Sequence, residues 1–202
     1  MSTAPARLPT EERQAEIVTA ALELAKETSP GLITTSDIAA GVGVSQGALF
    51  KHFPTKDAIW LAAMGWVRAQ LLARLEKAAD QAASPMDALA GMFKAHVGFV
   101  VSHPGVPRFI FHELQRAADS PVKQEVRKLL QAYRRLLRRQ LDAAVARGQV
   151  SPKVDLEAAA TLFVGVVQGL VMQSMLSGNA AAIKAQADAV FAIYRRGIEE
   201  LA

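Results

Sequence analysis

The side chains equipped for chemistry are few and unevenly placed. The 202-residue chain has no cysteine and four histidines, which rules out thiol nucleophiles, disulfide frameworks and thiolate metal sites. One cluster stands out in SQGALFKHFPTKDAI, residues 45–59: Ser45, Gln46, Gly47, Ala48, Lys51, His52, Thr55 and Lys56. An amide can donate and accept on a base edge, an alanine can touch a thymine methyl, and an ammonium reaches guanine or phosphate. Glycine and alanine weaken a helix or add little to a core, but they let a helix face approach another surface closely. A second group is His96 and His103, seven residues apart and on one helical face with Leu89, Met92, Phe93 and Val100. Core histidines, hydrogen bonding to a ligand and a metal site all remain open there. A metal site would need further ligands, for which only His112 and Glu113 are near. The chain has no Gly-x-Ser-x-Gly, no phosphate loop and no His/carboxylate pattern at metal spacing, so the expectation is that it is not an enzyme and carries no cofactor.

The elements that must hold these groups read as helices, giving an all-α fold. Pro, Gly and Ser punctuation predicts about nine, near 10–28, 35–42, 45–52, 55–80, 85–102, 107–118, 121–147, 155–177 and 180–201. Ser84-Pro85 and Ser120-Pro121 repeat one start signal: the serine caps free N–H groups and the proline fills a position whose N–H is unpaired anyway. In TTSDIAAGVGVSQGALFKHF, Thr34 or Thr35 caps a short helix, Ala39 is small where a second helix crosses, and Gly43 takes the turn position that needs positive φ. Ser45 caps the next helix, and Leu49 points back at Ile38 and Val42. This is helix-turn-helix arithmetic. It fits a recognition helix whose outer face (Gln46, Gly47, Ala48, Lys51, His52) enters a DNA major groove, and also a hairpin that merely packs. Thr35 and Ser36 at one helix start, and Thr55 and Lys56 at another, suit phosphate contacts.

Thr35, Ile38-Ala39, Gly43-Val44-Ser45, Leu49, His52-Phe53 and Lys56 follow in order the signature of the tetracycline-repressor (TetR) family of bacterial transcriptional regulators. Residues 10 to 60 resemble that family specifically, and the remainder resembles it in length and helicity. The resemblance implies an N-terminal three-helix DNA-binding domain over residues 1–56 and a larger helical effector-binding and dimerisation domain over 57–202. It also implies a homodimer, a double-stranded palindromic operator and a small-molecule effector that changes the spacing of two recognition helices. The family usually carries a phosphate-contacting tyrosine where this chain has Phe50, which is therefore read as packing.

The larger domain supplies candidates for both remaining roles. Apolar residues surround the helix at 155–177 almost completely, which demands burial on two sides. A dimer interface is expected there and on the last helix, from Phe163, Gly165, Val166, Gly169, Leu170, Val190, Phe191 and Tyr194. An apolar effector pocket is expected from Trp66, Met92, Phe93, His96, Phe99, His103, Phe109, His112, Tyr133, Gln168 and Met172. Residues 158–183 carry no formal charge, long enough to span a bilayer, but their polar residues and alanines point to a buried helix and no membrane. The start of the chain lacks an apolar signal core, so a cytoplasmic location is expected. Net charge is +4, yet residues 1–57 hold five Lys/Arg against seven Asp/Glu, so bulk charge would point to the wrong half for nucleic acid. The basic residues between Lys123 and Arg139 lie opposite an apolar stripe and read as a solvated face. The rival function is a helical ligand-binding or interaction protein without specific DNA binding.

Overall fold

The computed structural model describes residues 9–199, with the side chains of residues 180 and 181 excepted. Among the described residues the chain forms nine α-helices and no strand: α1 (Thr10–Leu24), α2 (Thr35–Gly41), α3 (Gln46–Phe50), α4 (Lys56–Asp80), α5 (Pro85–Ser102), α6 (Gly105–Gln115), α7 (Pro121–Ala146), α8 (Leu156–Ser177) and α9 (Ala180–Ile198). The predicted starts hold where a capping residue is legible. Ser84 accepts from the Asp87 amide with Pro85 in the first turn, Ser120 accepts from Lys123, and Asp155 accepts from Glu157 and Ala158.

Several boundaries differ from expectation, among them the end of α1 at Leu24 against an expected 28 and the end of α6 at Gln115 against an expected 118. α6 begins at Gly105 although Pro107 follows, because the first four N–H groups of a helix have no intrahelical partner and a proline there removes nothing. α9 ends at Ile198, where Glu199 turns extended (ψ 148°). The end expected at residue 201 lies outside the described residues.

Contacts divide the chain into two units. The first runs up to Val67 and takes in Gly105–Glu125; the second comprises Arg68–Pro104 and the chain from Val126 on. In the first, α1 packs on α2 and α6, and α2 on α3, around Ile17, Ala21, Ile38, Leu49, Ile59 and Met64, each fully buried. Trp60 stacks on Phe109 with centroids 4.7 Å apart. Gly105 makes the α1–α6 approach possible: a Cβ there would lie 1.9 Å from the Leu22 carbonyl oxygen. At the end of α6, Glu113 is buried, bonded by Ser120 and paired with Arg116 at 3.3 Å.

In the second unit α5, α8 and α9 pack on one another through a ring cluster. Phe93 meets Phe163 edge-on at 5.5 Å, and Phe163 meets Tyr194 at 5.5 Å. Tyr194 donates its hydroxyl to the Ala159 carbonyl (3.2 Å), which satisfies the one polar atom it carries into the core.

α8 has the length and apolarity of a membrane span, with mean hydropathy 1.6. One face, including Ala160, Phe163, Val167 and Leu170, is packed inside the unit, while Leu162 (54% exposed), Met172 and Leu176 (82%) face outward. Of the residues expected at a dimer interface, Phe163, Leu170, Phe191 and Tyr194 are packed within the protomer, each at most 8% exposed. Gly165 is exposed, Val166, Gly169 and Val190 are half-buried, and Cβ atoms at the two glycines would meet nothing within 4 Å.

Candidate nucleic-acid interface

The α2–turn–α3 segment owes its shape to local chemistry. Thr34 caps α2 in a reciprocal box: its hydroxyl accepts from the Asp37 amide at 3.1 Å, and the Asp37 carboxylate accepts from the Thr34 amide at 2.8 Å. Hydrogen bonds from the Thr34 backbone and then its hydroxyl hold the Asp37 carboxyl below its ordinary pKa. Gly43 turns the chain at φ 69°, the left-handed region where a Cβ is costly. Ser45 caps α3 by accepting from Ala48 (3.2 Å). Ile38, Ala39 and Leu49 are buried beneath, and Val42 and Val44 half-buried.

With Leu49 anchored inward, the opposite side of α3 faces outward. Gln46, Gly47 and Lys51 are exposed, Ala48 is half-buried, and a Cβ at Gly47 would meet nothing within 4 Å. Phe50 belongs to this face. It is 43% exposed and lies one turn from Gln46, so the expectation that it packs inward is overturned. The five-residue α3 leaves one inward position, and Leu49 takes it. The misleading signal was its aromaticity; its spacing from Gln46 was the signal that could have found it.

The predicted hydroxyl and ammonium groups gather at the adjoining helix starts. Gln46 Nε2 donates to Thr35 Oγ1 at 2.6 Å, tying the α3 start to the α2 start, with Ser36 exposed beside it. Thr55 caps α4 by accepting from Ala58 (3.1 Å). Lys56 donates from Nζ to the Gly31 carbonyl at 3.2 Å. Burial lowers its pKa, while Asp57 and Asp37 act in the opposite direction. It is therefore a tethered ammonium and not a freely swinging one. His52 is half-buried; its carbonyl accepts from Gln14 Nε2 at 3.1 Å, and its Nδ1 is buried without a hydrogen-bond partner among the described residues. The expected outer face thus keeps Gln46, Gly47 and Lys51, gains Phe50, and has His52 turned partly inward.

The expected pocket residues do not form one group within one unit. Trp66, Phe109 and His112 fall in the first unit, where Phe109 stacks on Trp60 and the His112 ring lies against Gly31. In the second, Met92, Phe93, Phe99 and Tyr133 are buried. The His96 ring sits edge-on to Tyr133, and His103 Nδ1 donates to the Phe99 carbonyl at 2.9 Å. Gln168 and Met172 are exposed on α8. The described residues hold no group of three or more His, Asp or Glu able to bind a metal ion.

Comparison with known proteins agrees with this geometry. The model for bacterial regulatory proteins of the tetR family matches residues 17–63, and the tetracyclin repressor-like C-terminal domain matches residues 113–190. The nucleoid occlusion factor SlmA of Shewanella pealeana is 26% identical over 152 residues, 75% of this chain and 77% of that protein. Among solved structures, FadR of Bacillus subtilis, in complex with stearoyl-CoA, superposes with a TM-score of 0.80 at 20% identity, covering 92% of this chain and 99% of that one. The ketosteroid regulator KstR2 of Mycobacterium tuberculosis superposes with a TM-score of 0.77 at 23% identity, covering 94% and 96%.

Proposed function

We infer that this chain, which belongs to the tetracycline-repressor family of bacterial regulatory proteins, is a homodimeric, ligand-responsive transcriptional repressor. It works in the cytoplasm, binds a palindromic operator through α3, and leaves it when a small-molecule effector occupies the helical domain. The observation that carries the DNA reading is the outer face of α3. Gln46, Gly47, Phe50 and Lys51 stand exposed on a helix held by Leu49 behind it and by capped starts on either side. A hairpin that merely packs has no need of an unobstructed glycine face between an amide and an ammonium.

In this reading Gln46 and Lys51 address base edges, Gly47 and Ala48 permit close approach, and Phe50 makes apolar contact with sugar or a thymine methyl. Thr35, Ser36, Ser45, Thr55 and Lys56 line helix starts whose amides and hydroxyls meet phosphates. His52 supports the α1 contact and offers DNA only the remainder of its ring. Residues 1–56 act as the reading head and 57–202 as the effector-binding and dimerising part. The second copy covers the outward stripe of α8 (Leu162, Gly165, Val166, Gly169, Met172, Leu176) with Val190 and Ile193 of α9. Two fold neighbours whose names speak of stearoyl-CoA and ketosteroids support an effector role for the helical domain.

The test is selection of random duplex DNA on the purified full chain, followed by sequencing. Convergence on an inverted repeat is expected, with Lys51→Ala weakening that sequence at least tenfold and scrambled DNA much less. Lys56→Ala is expected to weaken all duplexes alike. Failure of the selected pool to converge would favour the ligand-binding protein without specific DNA recognition, the reading that the acidic balance of residues 1–57 supports.

A further inference from the structure

The Gln46 side chain carries a donor and an acceptor at its tip, and at the start of α3 the protein engages only the donor. Nε2 donates to Thr35 Oγ1 at 2.6 Å. The neighbouring hydroxyl is committed elsewhere: Thr34 gives its proton to the Asp37 carboxylate at 2.7 Å and accepts from the Asp37 amide at 3.1 Å. The α2 cap therefore makes no demand on the Thr35 hydroxyl, whose one hydrogen-bond partner among the described residues is Gln46. Gln46 is exposed, Thr35 is half-buried, and a Cβ at the adjoining Gly47 would meet nothing within 4 Å. Oε1 of Gln46 is thus the amide atom that no described residue satisfies, on a face open to a partner.

Proton counting keeps this polarity on DNA. A threonine hydroxyl has a single proton to give, and a phosphate oxygen only accepts. A hydroxyl–phosphate bond is charge-assisted and roughly twice as strong as one between neutral groups, so the Thr35 proton goes to the phosphate. Toward Gln46 the same hydroxyl can then only accept, which holds the amide NH2 on the Thr35 side and offers Oε1 to the groove. In the major groove an acceptor is met by the exocyclic amine of adenine or cytosine, whereas guanine O6 and N7 and thymine O4 are themselves acceptors. The second N–H of the amide can add a contact to adenine N7 beside the amine, but an all-acceptor edge would set Oε1 against a lone pair.

We propose that Gln46 reads its operator position as an acceptor, through Oε1, from the exocyclic amine of an adenine or cytosine, and that Thr35 is the positioning residue that sets this polarity. The proposal rests on the operator-binding reading given above and names the base edge that this residue recognises.

The test starts from the operator selected on the full chain, and the base pair addressed by Gln46 is the one whose preference Gln46→Ala relaxes. In one half-site the amine of that pair is deleted, with purine in place of adenine or 2-pyrimidinone in place of cytosine, and affinity is read by fluorescence anisotropy at one salt concentration. The deletion is expected to weaken wild type about tenfold, the scale of an acceptor left unpaired in a closed interface, and Gln46→Ala by no more than about threefold. Gln46→Glu, whose carboxylate only accepts, should bind less tightly overall yet keep the roughly tenfold penalty, and Thr35→Ser should keep it too. Thr35→Val should bind every duplex less tightly and cut the penalty to about threefold or less, because the amide can then present either end. Circular dichroism checks folding; should Thr35→Val misfold, Thr35→Ala takes its place. A Thr35 with a merely structural role would lower affinity for intact and amine-deleted operators alike, and an unchanged ratio in Thr35→Val overturns the positioning role. Wild-type indifference to the missing amine overturns the acceptor reading, as does loss of the penalty in Gln46→Glu. A selected operator in which no position responds to Gln46→Ala overturns the proposal and leaves operator binding standing, whereas a pool that fails to converge removes both.

Discussion

Replacing Gly105 by alanine sets two effects of opposite sign against each other. In most helices the exchange is stabilising by roughly 0.5–1 kcal/mol, because glycine loses more backbone freedom on folding. Here the added Cβ would lie 1.9 Å from the Leu22 carbonyl oxygen, 3.0 Å from its carbonyl carbon and 3.1 Å from the Lys26 nitrogen. Comfortable contact is about 3.5 Å, so the oxygen is too close by more than an ångström. All three atoms are backbone, and no rotamer change relieves them. Either α6 backs away from α1 or α1 bends. Overpacking of this kind costs about 1–3 kcal/mol and sometimes more, so the clash wins and Gly105→Ala should lose about 1–2.5 kcal/mol. At roughly 2–4 °C per kcal/mol for a chain of this size, the melting temperature should fall by about 2–10 °C. Gly98→Ala in α5, whose Cβ meets nothing within 4 Å, is the internal control and should raise it by about 1–3 °C. Calorimetry of both variants at one protein concentration decides. A Gly105→Ala melting temperature at or above wild type would refute the claim that α6 is seated on the α1 backbone.

Three further outcomes are expected. Thr34→Ala removes the α2 cap and should cost about 1 kcal/mol in urea unfolding at pH 7. Because the folded pKa of Asp37 lies below 3.8, its contribution is complete above that value and is lost as pH falls through the lower folded value. The wild type should therefore lose more stability than Thr34→Ala on acidification below about pH 4, and parallel losses would contradict the reciprocal cap. Phe50→Tyr keeps the ring's apolar contact and adds a hydroxyl at its outer edge on the exposed α3 face, and should tighten operator binding about three- to tenfold in fluorescence anisotropy; unchanged or weaker binding would show that no phosphate oxygen lies within reach of that edge. Leu162→Glu introduces charge on an outward apolar stripe and should raise the dimer dissociation constant by about 100-fold or more in sedimentation velocity, since about 1.5–3 kcal/mol is lost for each of two symmetry-related side chains.

What the sequence made legible depended on whether one residue settles a feature locally. Thr34, Gly43, Ser45, Ser84, Ser120 and Asp155 each act on the backbone within a few positions, so helix starts and the turn were readable from them. Residues on α8 were harder. An all-round apolar helix signals burial on two sides but not which side its own protomer covers, and Phe163 and Tyr194 were accordingly assigned to a partner. The expected pocket residues were hard to place for a related reason. Phe109 and Met92 are equally apolar in sequence, and only the tertiary arrangement sends one to Trp60 and the other to the α5 interior. Lys56 shows the limit for polar groups: its type permits phosphate binding, but the Gly31 carbonyl that tethers it lies 25 residues away.

The sparse cationic equipment of the α3 surface has a consequence for how tightly the protein would hold DNA as the surrounding salt changes. Each phosphate neutralised releases about 0.9 of a counterion. With Lys51 committed to base edges and Lys56 as the phosphate-facing ammonium of each proposed face, a dimer would engage roughly two, giving a slope of about −1.8 in log affinity against log salt. Raising salt from 50 to 200 mM would then cost about 12-fold, against 10³–10⁵ for proteins making six to ten such contacts. Operator occupancy would be comparatively insensitive to the ionic strength of the cell. The balance of its affinity would come from groups that salt does not screen: the exposed ring of Phe50, the Gln46 amide, and the doubling of the site by symmetry.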